Sequence, residues 1–309
     1  MAINVLTPLP FPARPGEPAR LPGLACTPEC AAPRGRARRP TPLGKGHVPV
    51  SGIEAAREDE LPPRWNVRGD VVWLPDERGV RVPLALRPRE ASILAELQSG
   101  RSNASDLEPE LRLLFSEAGL LATPARFERG RAAWQGRLEQ ARANMCARGF
   151  AVLRDLLPAT LRGALRAYAR ELAARELGEG GRRTSACVGD DPVAAWLCSW
   201  LQPLTAPALP EPAPACAAAF ECFRAGAQVE RHLDAAPADY TLTIAVDASP
   251  TERAGSAWPL YLESPGGVVE VRLATGDALL FKGRALPHFR SRLARGRTAG
   301  TIEIAYTCW

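Results

Sequence analysis

The 309-residue chain is 24% charged and 46% apolar, with a formal net charge of +5. This is the composition of an ordinary globular protein, with room for one large domain or for a medium and a small one. No apolar run approaches the roughly 20 residues that span a bilayer, and the N-terminal MAINVLTPLPFPAR lacks the basic-then-apolar order of a secretory signal, so a cytoplasmic protein without a membrane partner is expected.

The first fifty positions hold 11 of the 30 prolines and the cluster RGRARRP at 34–40. Such density removes backbone donors and opposes helix, so residues 1–60 are expected to form a disordered Pro/Arg-rich tail that carries His47. Lys45 and Lys282 are the only lysines. The positive charge is thus arginine that accompanies abundant alanine and proline, a compositional bias that argues little for a nucleic-acid partner. The eight cysteines include no CxxC pair, and Cys26 and Cys30 have no second pair or histidine beside them; reduced thiols are expected rather than a zinc site or a disulfide framework.

A small module is expected over 61–124. DVVWLP and VRVPLAL, joined by DERG, read as a hairpin. RPREASILAELQSG then places Ala91, Leu94, Ala95 and Leu97 at helical spacing before a glycine stop, and SNASDLEPELRLLFSEAGLL continues in helix with Leu111, Leu114, Phe115 and Ala118 on one side. A hairpin with short helices resembles a winged-helix-type module. It is also similar to the small peptide-binding domains of the PqqD type, which recognise leader segments of ribosomally made precursor peptides. A purely structural extension fits the same pattern.

From Phe127 to Gly178 the pattern is helical, interrupted by the apolar GFAVLRDLL, which reads as a short strand. WLCSWLQPLTAPALPEPAPA reads as a helix followed by an irregular loop. Beyond residue 216 the period changes to two: CAAAFECF, DYTLTIAV, WPLYLE, GVVEVRL, DALLFKG and TAGTIEIAYT are short β-rich runs separated by turns. Strands so spaced imply an antiparallel sandwich or barrel such as a jelly roll.

Only three histidines are available, and His232 stands two residues before an acid, as His232-Leu233-Asp234. In a strand, residues i and i+2 share a face, so the imidazole and the carboxylate would project together. Alone, the pair is as well explained by a polar turn. His288, just beyond the apolar run GDALLF, supplies a third ligand. Two histidines and one carboxylate form the facial triad that suits non-haem Fe(II) and leaves three positions open, whereas a structural zinc site would want a fourth protein ligand. Arg297, nine residues after His288, is placed to pair bidentately with a carboxylate distant from the metal. A 2-oxoacid with a second carboxylate, 2-oxoglutarate, meets both demands. Strand alternation leaves Arg290, Arg292 and Arg295 as alternatives to Arg297. Arg224 and Arg231 either line the entrance or are simply solvated, and Trp258 and Tyr240 read as core.

Taken in order, His232-x-Asp234, Gly266-Gly267, Gly276-Asp277-Ala278-Leu279-Leu280-Phe281, His288 and Gly296-Arg297 resemble the 2-oxoglutarate/Fe(II)-dependent oxygenases, closest to the prolyl-hydroxylase-like branch. The preceding GFAVLRDLLPATLRGALRAY resembles the strand and support helix that these enzymes place before the core. The resemblance implies an α+β fold: a double-stranded β-helix (jelly-roll) core with N-terminal support helices over 125–309, preceded here by the small winged-helix-like module. It further implies Fe(II) on His232, Asp234 and His288, 2-oxoglutarate on the iron and Arg297, and consumption of O2 with release of succinate and CO2. The expected outcome is hydroxylation of an unactivated C–H bond of an amino-acid side chain in a peptide or protein, with the N-terminal module as a candidate site of precursor-peptide recognition. Related halogenases lack the carboxylate, so Asp234 favours hydroxylation or desaturation. One departure is that Val246 stands near the position where some relatives contact the oxoacid through tyrosine. The alternatives are the same chemistry on a free small molecule, a winged-helix nucleic-acid binder with a ligand-sensing barrel, and a redox-inert cupin-like binding protein.

Overall fold

The computed structural model describes residues 48–50, 53–56, 70–76, 78, 81–122, 124–178, 183–189, 191–249 and 258–308. His47, Cys26, Cys30 and the RGRARRP cluster lie outside them. The chain divides into two compact units with the boundary between Trp134 and Gln135. Among the described residues no helix is long and apolar enough to cross a membrane.

The first unit contains β1 (Val48–Pro49), β2 (Glu54–Ala55), β3 (Asp70–Pro75), β4 (Arg81–Leu86), α1 (Pro88–Gln98), α2 (Pro109–Glu117) and β5 (Leu121–Ala122). The expected hairpin is β3–β4, with Asp70 opposite Leu86 and Pro75 opposite Arg81. Helix α1 starts on a proline, and Glu90 accepts a hydrogen bond from the Arg87 backbone N–H at 2.8 Å, which satisfies a donor that the helix start would otherwise orphan. β1 and β2 fall inside the stretch expected as tail. Val50 and Ile53 are buried there with Leu74, Leu84, Leu94 and Phe115, and this apolar burial holds the segment in place.

Helix α3 (Pro124–Arg148) runs from the first unit into the second. There follow β6 (Phe150–Leu153), α4 (Ala159–Leu177), β7 (Ser185–Val188), α5 (Pro192–Thr205) and a 3-10 turn at Ala206–Ala208. The last third is strand: β8 (Ala215–Arg224), β9 (Val229–His232), β10 (Tyr240–Ser249), β11 (Leu260–Ser264), β12 (Gly267–Val271), β13 (Ala278–Phe281), β14 (His288–Arg290) and β15 (Thr298–Tyr306). They form a six-stranded sheet ordered β6-β13-β10-β15-β8-β7 and a four-stranded sheet ordered β12-β11-β14-β9, antiparallel throughout. Apart from the β11–β12 hairpin, successive strands from β8 to β15 alternate between the sheets, which is the jelly-roll arrangement.

Alternation along β15 separates two environments. Ile302, Ile304 and Tyr306 turn outward and are fully buried with Leu161, Leu165 and Leu172 of α4, and Tyr306 shares a 2.8 Å hydrogen bond with Thr205 of α5. Thr301 and Glu303 turn inward, toward the second sheet. A bulge at Val246 of β10 puts Asp247 on the outer side, where Arg166 (3.0 Å) and Arg170 (3.1 Å) of α4 hold its carboxylate. Three short elements were not separable in the sequence. β7 lies between the runs assigned from the sequence, and β9 and β14 have four and three residues, too few for periodicity to register.

The turn before β13 is tied by Asp277, whose buried carboxylate accepts from Arg154 (2.6 Å) and from the backbone N–H groups of Asp155 (2.9 Å) and Ala274 (3.0 Å). Asp277→Ala leaves two backbone donors without their acceptor and should destabilise the second unit by about 2–4 kcal/mol, read as a lowered urea midpoint, with Asp277→Asn losing less.

Candidate metal centre

His232 and His288 stand directly opposite each other on the paired strands β9 and β14. Their rings lie 4.2 Å apart between centroids. Asp234 completes the group, and the three ligand atoms fall within 4.8 Å of one another. His288 Nε2 lies 3.3 Å and His232 Nε2 3.7 Å from the same oxygen, Asp234 Oδ1. The other nitrogens are anchored to backbone: His288 Nδ1 to the Leu286 carbonyl at 3.0 Å and His232 Nδ1 to the Glu230 carbonyl at 2.8 Å. With each Nδ1 tied to a carbonyl, both Nε2 atoms are aimed at one point.

Two details differ from the sequence expectation. Asp234 is not on a strand: β9 ends at His232, and Asp234 is placed by its own N–H, which donates to the Gly283 carbonyl at 3.0 Å. His288 does not merely trail the GDALLF strand. β13 belongs to the larger sheet, while His288 opens β14 in the smaller one, after a connection that crosses the barrel.

Burial alone would push the Asp234 carboxyl up, but hydrogen bonding to His288 and the Thr241 hydroxyl and the nearness of both imidazoles hold it below the usual aspartate range. Burial alone would lower His288, and the Asp234 carboxylate and Leu286 carbonyl overcome this and raise it. A carboxylate that stays ionised beside two imidazoles is a hard donor set with one charge, and it fits a divalent cation such as Fe(II).

Further inside, polar side chains meet between the sheets. Thr243 donates to Glu303 at 3.1 Å and Thr301 donates to Glu221 at 3.1 Å. Burial raises both carboxyls, Glu303 to about 8, and the two are close enough to share a hydrogen bond. Arg290, two residues past His288, is 7% exposed, lies with its guanidinium carbon 5.0 Å from the Trp258 ring centre, and donates to the Trp258 carbonyl at 2.8 Å.

The other arginines separate cleanly. Arg292 and Arg295 are exposed, and Arg297 sits half-buried in the turn that leads into β15, its N–H donating to the Ala294 carbonyl at 3.2 Å. Arg231 pairs with Glu263 through two 2.6 Å contacts on the surface, Arg224 donates to the Gly178 carbonyl at 3.0 Å, and Trp258 and Tyr240 are core as expected. Sequence reasoning did not single out Glu221, Glu303, Thr241 or Gly283. The signal for the glutamates was a charged residue in the middle of an otherwise apolar run, AFECF and TIEIAY.

Neither a protein-family model nor a curated protein matches the chain. Similar solved structures include a prolyl-4-hydroxylase of Pseudomonas putida (18% identity over 56% of this chain and 99% of that one, TM-score 0.45). A prolyl hydroxylase of Trichoplax adhaerens, in complex with a hypoxia inducible factor peptide fragment, gives 15% identity over 57% of this chain and 91% of that one, TM-score 0.46. The α-ketoglutarate-dependent epimerase SnoN of nogalamycin biosynthesis gives 18% identity over 55% and 80%, TM-score 0.45.

Gly283 packs against the candidate ligand Asp234 and its partner Thr241 so closely that an added Cβ would lie 2.8 Å from Asp234 Cγ and 2.7 Å from Thr241 Oγ1. Gly283→Ala should therefore displace the Asp234 carboxylate and lower divalent-metal affinity by about 10–100-fold, measured by competition with a chromophoric chelator, while the circular dichroism spectrum stays that of the wild type. Thr241→Val, which removes the donor to Asp234, should lower affinity by about tenfold in the same assay.

Proposed function

We propose that the chain is an Fe(II)- and 2-oxoglutarate-dependent dioxygenase that hydroxylates an unactivated C–H bond of an amino-acid side chain in a peptide or protein. The observation that carries the reading is the convergence of His232, Asp234 and His288 within 4.8 Å at the open end of a jelly roll, both Nε2 atoms directed at Asp234 Oδ1. Three protein ligands on one side leave the remaining positions of a six-coordinate cation for other molecules.

When bound, the iron and the oxoacid supply an O2-derived oxidant strong enough to take a C–H hydrogen, with succinate and CO2 as coproducts. The residues of the chain position and enclose. The Leu286 and Glu230 carbonyls hold the imidazole tautomers. Thr241 and the Gly283 backbone hold the carboxylate. Phe281, 4.7 Å from the His288 ring, backs the metal site with Leu262 and Leu279 and keeps water from that side. The opposite side is open: the His232 side chain is 44% exposed and Leu233 is 49% exposed. That exposure beside the ligands supports a substrate too large to be swallowed, and hence a peptide segment.

Protein reconstituted anaerobically with Fe(II) and then given 2-oxoglutarate and O2 should form succinate, and His232→Ala should abolish it. Protein that holds the metal but neither binds nor turns over 2-oxoglutarate would overturn the reading. Full activity on an authentic substrate after removal of residues 1–123 would assign that substrate to the second unit alone and dismiss recruitment of a peptide by the N-terminal module.

A further inference from the structure

The connection between β13 and β14 serves two of the three candidate ligands. The Gly283 carbonyl accepts from the Asp234 N–H at 3.0 Å, and the Leu286 carbonyl meets His288 Nδ1 at 3.0 Å. The connection is folded on the Lys282 carbonyl, which accepts from the N–H groups of Ala285 (3.0 Å) and Leu286 (2.9 Å). Its start is tied by the Lys282 N–H, which donates to the Gly149 carbonyl just before β6 at 2.9 Å. Between the two serving carbonyls stands Arg284, whose guanidinium donates to Asp239 Oδ1 at 3.0 Å.

Asp239 closes the loop that carries Asp234. That loop joins β9 to β10, and Ala235, Ala236 and Pro237 in it are exposed, so burial does not hold them. Asp239 stands two residues before Thr241, and Gly283 two residues past Phe281, which is the partner of Thr241 across β10 and β13. The second oxygen, Asp239 Oδ2, accepts from the Cys308 N–H at 2.8 Å and from the Thr307 hydroxyl at 3.5 Å, just past the end of β15. Because β10 lies between β13 and β15, one carboxylate joins the ligand loop to the exits of both neighbouring strands. The Cys308 N–H first, and the Arg284 guanidinium after it, hold this carboxyl below the usual aspartate range, so the joint is ionised at neutral pH. An isolated exposed ion pair contributes little, and the Arg284 side chain is 51% exposed. The Cys308 arm is firmer, since it is backbone and the adjacent Thr307 N–H is fixed on the Pro214 carbonyl at 3.1 Å.

We propose that Asp239 is a positioning residue for the metal centre, which through Arg284 and Cys308 holds the loop of Asp234 against the Gly283 carbonyl before a cation arrives. The proposal rests on the His232, Asp234 and His288 centre of the oxygenase reading and adds a residue five positions from the nearest ligand. A loop that samples several conformations binds a cation in proportion to the fraction already in the ligating one. Release of the clamp therefore lowers apparent affinity and leaves the donor set of the loaded centre as it was.

The test uses full-length protein with Co(II) as a spectroscopic substitute for Fe(II). Affinity is measured by competition with a chromophoric chelator, and coordination by the visible d–d bands at saturation. Asp239→Ala should weaken Co(II) by about fivefold with the bands unchanged, and Arg284→Ala by about twofold. The double variant should bind no more weakly than Asp239→Ala alone, because Arg284 acts through Asp239. Cys308→Pro, which removes the N–H, should weaken Co(II) by about threefold, whereas Cys308→Ala, which keeps it, should match the wild type. Wild-type affinity in Asp239→Ala overturns the assignment, as do altered bands at saturation, additive losses in the double variant, or equal affinities in Cys308→Pro and Cys308→Ala. If Asp239→Ala does not fold, Arg284→Ala and the two Cys308 variants decide. Wild-type protein that binds no Co(II) would instead overturn the metal centre and the oxygenase reading with it.

Discussion

The placement of one carboxylate governs the metal site. Asp234 lies off the strand that carries His232, so nothing in the sheet ladder fixes it. It is held instead by four local forces: its N–H on the Gly283 carbonyl, the Thr241 hydroxyl, and the two imidazoles that share its Oδ1. Each comes from a different element, and they can meet only if the two sheets are at the right spacing and register. The opposition of His232 and His288 on β9 and β14 sets one half of that register, and the pairing of β10 with β13, which brings Thr241 beside Phe281, sets the other.

The same spacing creates the polar interior. The outer face of the larger sheet is sealed by α4 and α5 and is apolar without exception along β15 from Ile302 to Tyr306. The inner face at the same strand carries Thr301 and Glu303. A sheet with one apolar and one polar face ordinarily turns the polar face to water; here it turns it to a second sheet. Burying titratable groups in that way is unfavourable for stability.

Much of this was legible in the sequence because it depends on spacing along the chain. The period-two runs after residue 216, the His232-x-Asp234 pair and His288 beyond an apolar run led directly to the jelly roll and to the His232, Asp234 and His288 cluster. What could not be read depends on contacts between segments distant in sequence. Gly283 is an ordinary turn glycine until Asp234 is seen against it. The inward orientation of Arg290 follows from a three-residue strand whose pairing partners are 56 and 61 positions earlier, since His288 lies opposite His232 and Arg290 opposite Val229. Among Arg290, Arg292, Arg295 and Arg297, alternation alone gave no phase, because the intervening turn resets it. In the first unit, the short apolar stretch Val48 to Ile53 was masked by the proline-rich composition before it, although Val50 and Ile53 are buried.

The bulge at Val246 also carries weight as a switch of phase. With the extra residue, Asp247 faces α4 and is neutralised by Arg166 and Arg170. Were β10 to run in regular alternation with all its residues kept, the carboxylate would fall on the inner face, adding a further anion beside Glu221 and Glu303. Loss of the bulge, rather than loss of a residue, would thus act as a charge substitution inside the barrel. The register of β10 and the electrostatics of the barrel interior are one constraint.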